Sequence, residues 1–289
     1  MLPGVEEGDA TALHRARIAS RRLRELLPIL QLNHDVAAKL GRRLRKIRAH
    51  LGTVRELDVL LMLSDELHAS RRRDRAALKR VADAVRLDQA EAHEKLSGRK
   101  GPIGELKAIA RKLGRALDSL EQTDTTRKSG SRSPARGWKW ALDARIANRA
   151  AALREAINEA GAVYLPDRLH LVRLDVKKLR YALELSAEAG GLPASPDLRA
   201  LKRTQDLLGR LNDLNVLIDR IRDIQASLDP PNIVAWRELQ ALSIALENSA
   251  RRLHARYMRE RPALEAIVDG LVAKAARPRA ARKTARVSL

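Results

Sequence analysis

The chain has 289 residues, with 57 Lys and Arg against 36 Asp and Glu, a formal net charge of +21. It contains no cysteine, which excludes a disulfide framework, a thiolate-held metal and a thiol nucleophile. No apolar run approaches the roughly 18 residues that would span a membrane, and the acidic residues 1–9 do not read as a signal peptide, so a cytoplasmic protein with no membrane partner is expected.

Residues 1–10 carry no helical pattern. An amphipathic helix is expected from Leu13 toward Leu32, with Pro28 a kink or stop. A second is expected over about 35–51, closed by Gly52 and Thr53, and a third over about 55–69. The stretch from Arg71 to Leu96 is highly charged and helix-forming. Residues 97–102 (SGRKGP) carry turn residues, and a further helix is expected over roughly 104–121. Segment 123–137 (TDTTRKSGSRSPARG) is polar and basic and reads as a mobile loop. A helix over about 138–160 ends at Gly161, and Pro166 and Asp167 open another to about 189. Helices follow at about 197–208, 212–228 and 232–268, separated by Gly209 and by Asp229-Pro230-Pro231. Residues 272–289 are expected to be a basic disordered tail.

Ala, Leu, Arg, Glu and Lys dominate the composition, and no stretch alternates β-branched with polar residues, so the fold class is all-α. With no Phe, three Trp and three Tyr, the core must be aliphatic. The charge attracts polyanions. Sequence-tolerant binding of single strands uses aromatic platforms on which bases stack, and Trp138, Trp140 and Trp236 do not interleave with a basic stripe. A ligand with phosphates but no bases needs no such platforms.

The chain also repeats itself. Residues 13–30 (LHRARIASRRLRELLPIL) align with 169–186 (LHLVRLDVKKLRYALELS), and residues 44–60 (LRKIRAHLGTVRELDVL) with 201–217 (LKRTQDLLGRLNDLNVL), with six identities in each pair. The basic positions correspond: His14 with His170, Arg17 with Arg173, Arg21 with Lys177, Arg22 with Lys178, and Arg24 with Arg180. In the second block Arg42, Arg45 and Lys46 match Arg199, Lys202 and Arg203. A tandem duplication gives a first half over 11–161 and a second over 165–271.

Helical geometry turns these matches into faces. At 100° per residue, His14, Arg17, Arg21 and Arg24 fall within about 80°, opposite Leu23, Leu26, Leu27 and Leu30. His170, Arg173, Lys177 and Arg180 repeat that stripe, opposed by Val172, Val176, Leu179 and Leu183. Arg42, Arg45 and Lys46 face away from Leu40, Leu44, Ile47 and Leu51. Like charges three or four residues apart repel. Four basic faces retained between two diverged copies therefore suggest a polyanion that neutralises them.

These residues resemble the conserved histidine α-helical domain (CHAD) family. The likeness rests on His14 through Arg24 with Leu51-Gly52 and the segment from Arg55 to Val59, and on His170 through Arg180 with Leu208-Gly209 and the segment from Asn212 to Asn215. It covers roughly residues 11–270. The resemblance implies two tandem helical bundles related by pseudo-two-fold symmetry, with a basic central channel or groove. It further implies binding of inorganic polyphosphate and association with polyphosphate granules and their proteins. Two departures stand out: Asn212 replaces Arg55, and Lys replaces Arg at 177 and 178, which gives up the bidentate guanidinium fork.

On that reading the ligand-binding residues are His14, Arg17, Arg21, Arg22, Arg24, Arg42, Arg45, Lys46, Arg55, His170, Arg173, Lys177, Lys178, Arg180, Arg199, Lys202 and Arg203. The arginines supply charge-assisted bonds, and each His, among phosphates, is expected to donate from both nitrogens. No catalytic residue, metal or cofactor is expected, because no His-Glu-x-x-His, nucleophile-elbow or P-loop pattern is present. Asp58 is expected to be an N-terminal or inter-helix partner of an Arg. The competing readings are a nucleic-acid-backbone-binding protein, a metal-dependent polyphosphate-processing enzyme using Glu56 and Asp58, and a scaffold for another protein's acidic surface; weak, non-specific nucleic-acid binding is expected beside the main partner.

Overall fold

The computed structural model describes residues 10–27, 34–96, 105, 108–115, 134–190, 193, 195–228 and 232–276. Among them there is no strand, and the fold is all-α. The described residues include seven long helices: α1 (Ala10–Leu26), α2 (His34–Ser70), α3 (Arg75–Leu96), α4 (Pro134–Ala160), α5 (Pro166–Gly190), α6 (Pro196–Ala226) and α7 (Ile233–Ala276). A single 3₁₀ turn, Arg72–Asp74, joins α2 to α3. Residues 105 and 108–115 are helical too, within the span where a helix was expected.

Local chemistry sets most of the ends. Gly161 follows α4 with φ 62°, a left-handed position that glycine takes without steric cost, and its N–H donates to Ile157 and Asn158 carbonyls. Pro166 and Pro196 stand first in α5 and α6, where a missing N–H removes no helical bond. The Ser195 hydroxyl accepts from the Leu198 N–H at 3.2 Å, and the Asn232 side chain accepts from the Ala235 N–H at 3.1 Å, capping α6 and α7.

Four expected boundaries are corrected. Gly52 and Thr53 do not close a helix, and Gly209 does not separate two, because α2 and α6 run straight through them. The reason is the same in both copies. Leu51 and Val54 flank Gly52 on the buried stripe, as Leu208 and Leu211 flank Gly209. Keeping two such leucine-type side chains buried outweighs the roughly 1 kcal/mol by which a helical glycine disfavours the helix. Within α2 the Thr53 hydroxyl donates to the Ala49 carbonyl one turn back. The loop expected over 123–137 gives way to α4 from Pro134 onward, and α7 reaches Ala276, into the stretch expected as tail. Segments 97–102, 116–133 and 277–289 lie outside the described residues.

By contact the chain forms two compact units. One comprises residues 1–133 and 219–243, the other 134–218 and 244–289. These limits are set by packing, whereas the expected halves 11–161 and 165–271 are drawn around repeated blocks that themselves span 13–60 and 169–217. In the first unit α1 packs on α2 and α2 on α3. Its core joins Leu27, Leu40, Leu44, Ile47, Leu51 and Val54 to Ile109, with Leu23, Val36, Ala92 and Leu113 against them. In the second unit α4 packs on α5, which buries Leu169, Val172, Val176, Leu179 and Ala182 along one stripe. In α2 and α5 the apolar phase read from the sequence is the phase that is buried, while α1 also buries Ser20 and Glu25.

Candidate polyanion-binding site

Within the second unit, α5 and α6 run antiparallel. Side-chain bonds show the direction: Tyr164 donates to Asn215 at 2.6 Å, His170 Nδ1 meets Asn212 Oδ1 at 2.5 Å, and Arg180 Nε donates to Gln205 at 2.9 Å. Between the last two bridges lies a groove of about 320 Å³ lined by Arg173 and Lys177 of α5 and by Gln205, Asp206, Gly209, Arg210 and Asp213 of α6. Arg173 and Lys177 are half-buried there, one helical turn apart on one face.

Gly209 gives the groove its shape. A Cβ placed on it would meet Arg173 Nε at 4.0 Å, so the guanidinium lies across a position with no side chain. The groove holds three cations and two carboxylates, Asp206 and Asp213, and is not uniformly basic. Its cationic side chains are half-desolvated, which strengthens their attraction for an anion relative to fully hydrated charges.

The structure sorts the other expected residues. His170 is exposed and held through Nδ1 by Asn212, so the departure from Arg55 of the first copy supplies a hydrogen-bond partner for this imidazole. Arg180 is committed within the protein: its side chain is 14 % exposed, pairs with Glu184, bonds Gln205 and lies 4.6 Å over the Tyr181 ring. Lys178 reaches back to Asp175 at 2.5 Å. Arg199, Lys202 and Arg203 are exposed on the N-terminal turns of α6, and the first two share its groove-lining face to within about 100°.

In the first unit Arg21 is half-buried, and Arg22, Arg42 and Arg45 are exposed. Lys46 Nζ lies 4.0 Å from Glu105. Arg55 is half-buried, with one guanidinium nitrogen 3.9 Å from Met62 Sδ. The side chains of His14, Arg17 and Arg24 lie outside the described residues.

Asp58 is an inter-helix partner, as expected, but of an amide: Gln89 Nε2 of α3 donates to it at 2.8 Å. Asn215, its counterpart in the repeat, accepts from Tyr164 in the connection between α4 and α5. Glu56 is exposed and stands about 200° from Asp58 around α2, so the two carboxylates do not converge. Among the described residues no group of three or more His, Asp or Glu is placed to hold a metal ion, and no helix is long and apolar enough to cross a membrane.

Sequence reasoning missed Arg210 and Gln205. Arg210 corresponds to Thr53 in the first copy, so a search for basic residues kept in both copies passes over it. The pattern that finds it is its place one residue past Gly209, on the face of α6 that carries Arg199.

Comparison with curated proteins finds no match. Comparison with protein families matches the CHAD domain over residues 2–222. The match takes in both copies of both repeated blocks and every groove residue, and it ends before α7, short of the residue 270 to which the resemblance was drawn. The chain belongs to the CHAD-domain family.

Proposed function

We propose that this protein binds inorganic polyphosphate without transforming it, that the groove between α5 and α6 is a contact site, and that binding places the protein at polyphosphate granules. The family is associated with polyphosphate binding. The observation that carries the reading for this chain is the convergence of Arg173, Lys177 and Arg210 on one groove beside a side-chain-free Gly209. A linear polyphosphate offers oxygen acceptors on every side and a negative charge at each unit. Two guanidiniums and an ammonium along a groove can hold successive phosphates by charge-assisted bonds. Lys202 and Arg199, farther along the same face of α6, extend the positive path.

Calorimetric titration with long-chain polyphosphate at about 150 mM salt, where non-specific attraction is screened, tests this. Changing Arg173, Lys177 and Arg210 together to Ala removes three charge-assisted contacts and is expected to weaken binding at least about a hundredfold. Unchanged affinity overturns the groove as the site. Equal affinity for duplex DNA and RNA of the same charge overturns polyphosphate as the ligand. Release of orthophosphate from the polymer in the presence of magnesium overturns the non-enzymatic reading.

A further inference from the structure

Beyond the family match, α7 carries a second concentration of positive charge. Arg251, Arg252, Arg256 and Arg259 are all exposed, and the run 251–259 contains no carboxylate. Arg252, Arg256 and Arg259 stand at i, i+4 and i+7, within about 60° of arc and about 10 Å of rise, with Arg251 to one side. Small or neutral exposed residues surround them: Asn248, Ala255, Ala263 and Ala266. Two of the four have neighbours on the helix, since Arg252 donates to Ser249 Oγ and Arg256 pairs with Glu260 at 2.9 Å. Glu260 pairs with one of the four guanidiniums, and the stretch 251–259 itself carries four arginines and no acid. Like charges at these spacings repel along the helix.

We propose that this arginine face of α7 is a second, independent polyphosphate-binding site. It rests on the reading of polyphosphate as the ligand of this chain. Three features favour that occupant. The row is a single narrow line, which suits one thin polymer. It has no exposed aromatic residue on which a base could stack, since Tyr257 is buried. Its guanidiniums are weakly hydrated fork-shaped donors suited to phosphate oxygens. The face lies outside the duplicated blocks and outside the matched residues 2–222, and none of its arginines lines the groove of α5 and α6. Two sites on one chain would let a long polymer bridge protein molecules, raising avidity without any new contact.

The test uses the full chain and polyphosphate itself, in four forms: wild type, the groove variant Arg173→Ala/Lys177→Ala/Arg210→Ala, an α7 variant with Arg251, Arg252, Arg256 and Arg259 each changed to Gln, and both together. Glutamine keeps helix propensity close to that of arginine. In the groove-variant background the α7 change is expected to weaken the remaining binding more than tenfold. It should also flatten the slope of log affinity against log salt by about 3, the value for four lost single-strand phosphate contacts. Turbidity from cross-linking by long chains should vanish in the α7 variant. As a measurement that needs no variant of α7, polyphosphate should protect Arg251–Arg259 from phenylglyoxal, read by peptide mass spectrometry. No remaining affinity in the groove variant, no further loss on changing α7, or unprotected arginines would each overturn the second site. Stronger protection by duplex DNA of equal charge would overturn its ligand. A groove variant that binds like wild type instead speaks against the groove and leaves the α7 comparison readable.

Discussion

His254 sits on α7 with its ring centroid 5.2 Å from that of Tyr164 and 6.4 Å from that of Tyr257. Its Nε2 and the Tyr257 hydroxyl are buried without a hydrogen-bond partner. Burial lowers the His254 pKa from 6.5, and it pushes the Tyr257 phenol up to about 12, with Arg261 opposing that rise and Glu265 adding to it. The folded chain therefore takes up a proton at His254 less readily than the unfolded chain does. Between the lowered value and 6.5 the unfolded state holds more protons, so this residue's contribution is present above 6.5 and is lost as pH falls through that window. Acidification from about pH 7 to about pH 5.5 is expected to lower Tm, and His254→Leu should make the fall shallower. Parallel Tm profiles for the two proteins would remove His254 as the cause. Nothing local in the sequence marks this residue, because its burial depends on Tyr164, some 90 residues away in the chain. Asp58 is legible as a structural partner because it lies amid so much positive charge, but its amide partner Gln89 is set only by the packing of α2 on α3.

At the scale of the element, two glycines of one repeated pair make different predictions. Both stand mid-helix without positive φ, so alanine removes backbone freedom from the unfolded chain and strain from neither copy. A Cβ at Gly52 meets nothing within 4 Å. Gly52→Ala is expected to stabilise the protein by about 0.5–1 kcal/mol in denaturant unfolding, with polyphosphate affinity unchanged. Gly209→Ala gains the same propensity, because its Cβ meets Arg173 Nε at an ordinary contact distance of 4.0 Å. The added methyl narrows the groove and limits the guanidinium's movement, so affinity should fall severalfold while stability rises. Equal affinity for the two variants would mean that the ligand does not pass over Gly209. The glycine pair is visible as a repeat, but it marks a bare helix surface and not the helix end that glycine suggests in the sequence.

At the scale of the molecule, neither compact unit is a continuous piece of chain. Residues 219–243 belong with 1–133, and 244–289 with 134–218, so α6 and α7 each contribute to both units. Fragments cut between the repeated halves, 1–161 and 165–289, would each lack part of the unit they mostly build. Each is expected to show helical circular dichroism without a cooperative thermal transition, and mixing the two should restore one. A sharp two-state melt from either fragment alone would refute this. The net charge of +21 acts at this scale as well, drawing polyanions from a distance before any groove selects among them.

The sequence by itself determined the all-α class, the buried stripes of α2 and α5, the duplication and the family, because helical phase and repetition are properties of neighbouring residues along one chain. It also placed the basic residues on the polar faces of their helices, opposite the apolar stripes. Only the tertiary structure decided which of them meet. Arg173 and Lys177 converge with Arg210 because α5 and α6 lie antiparallel, while Arg180, on the same stripe, is taken up by Glu184, Gln205 and Tyr181. Pairing between helices is set by contacts far apart in sequence, and a periodicity measured along one helix carries no information about the face opposite.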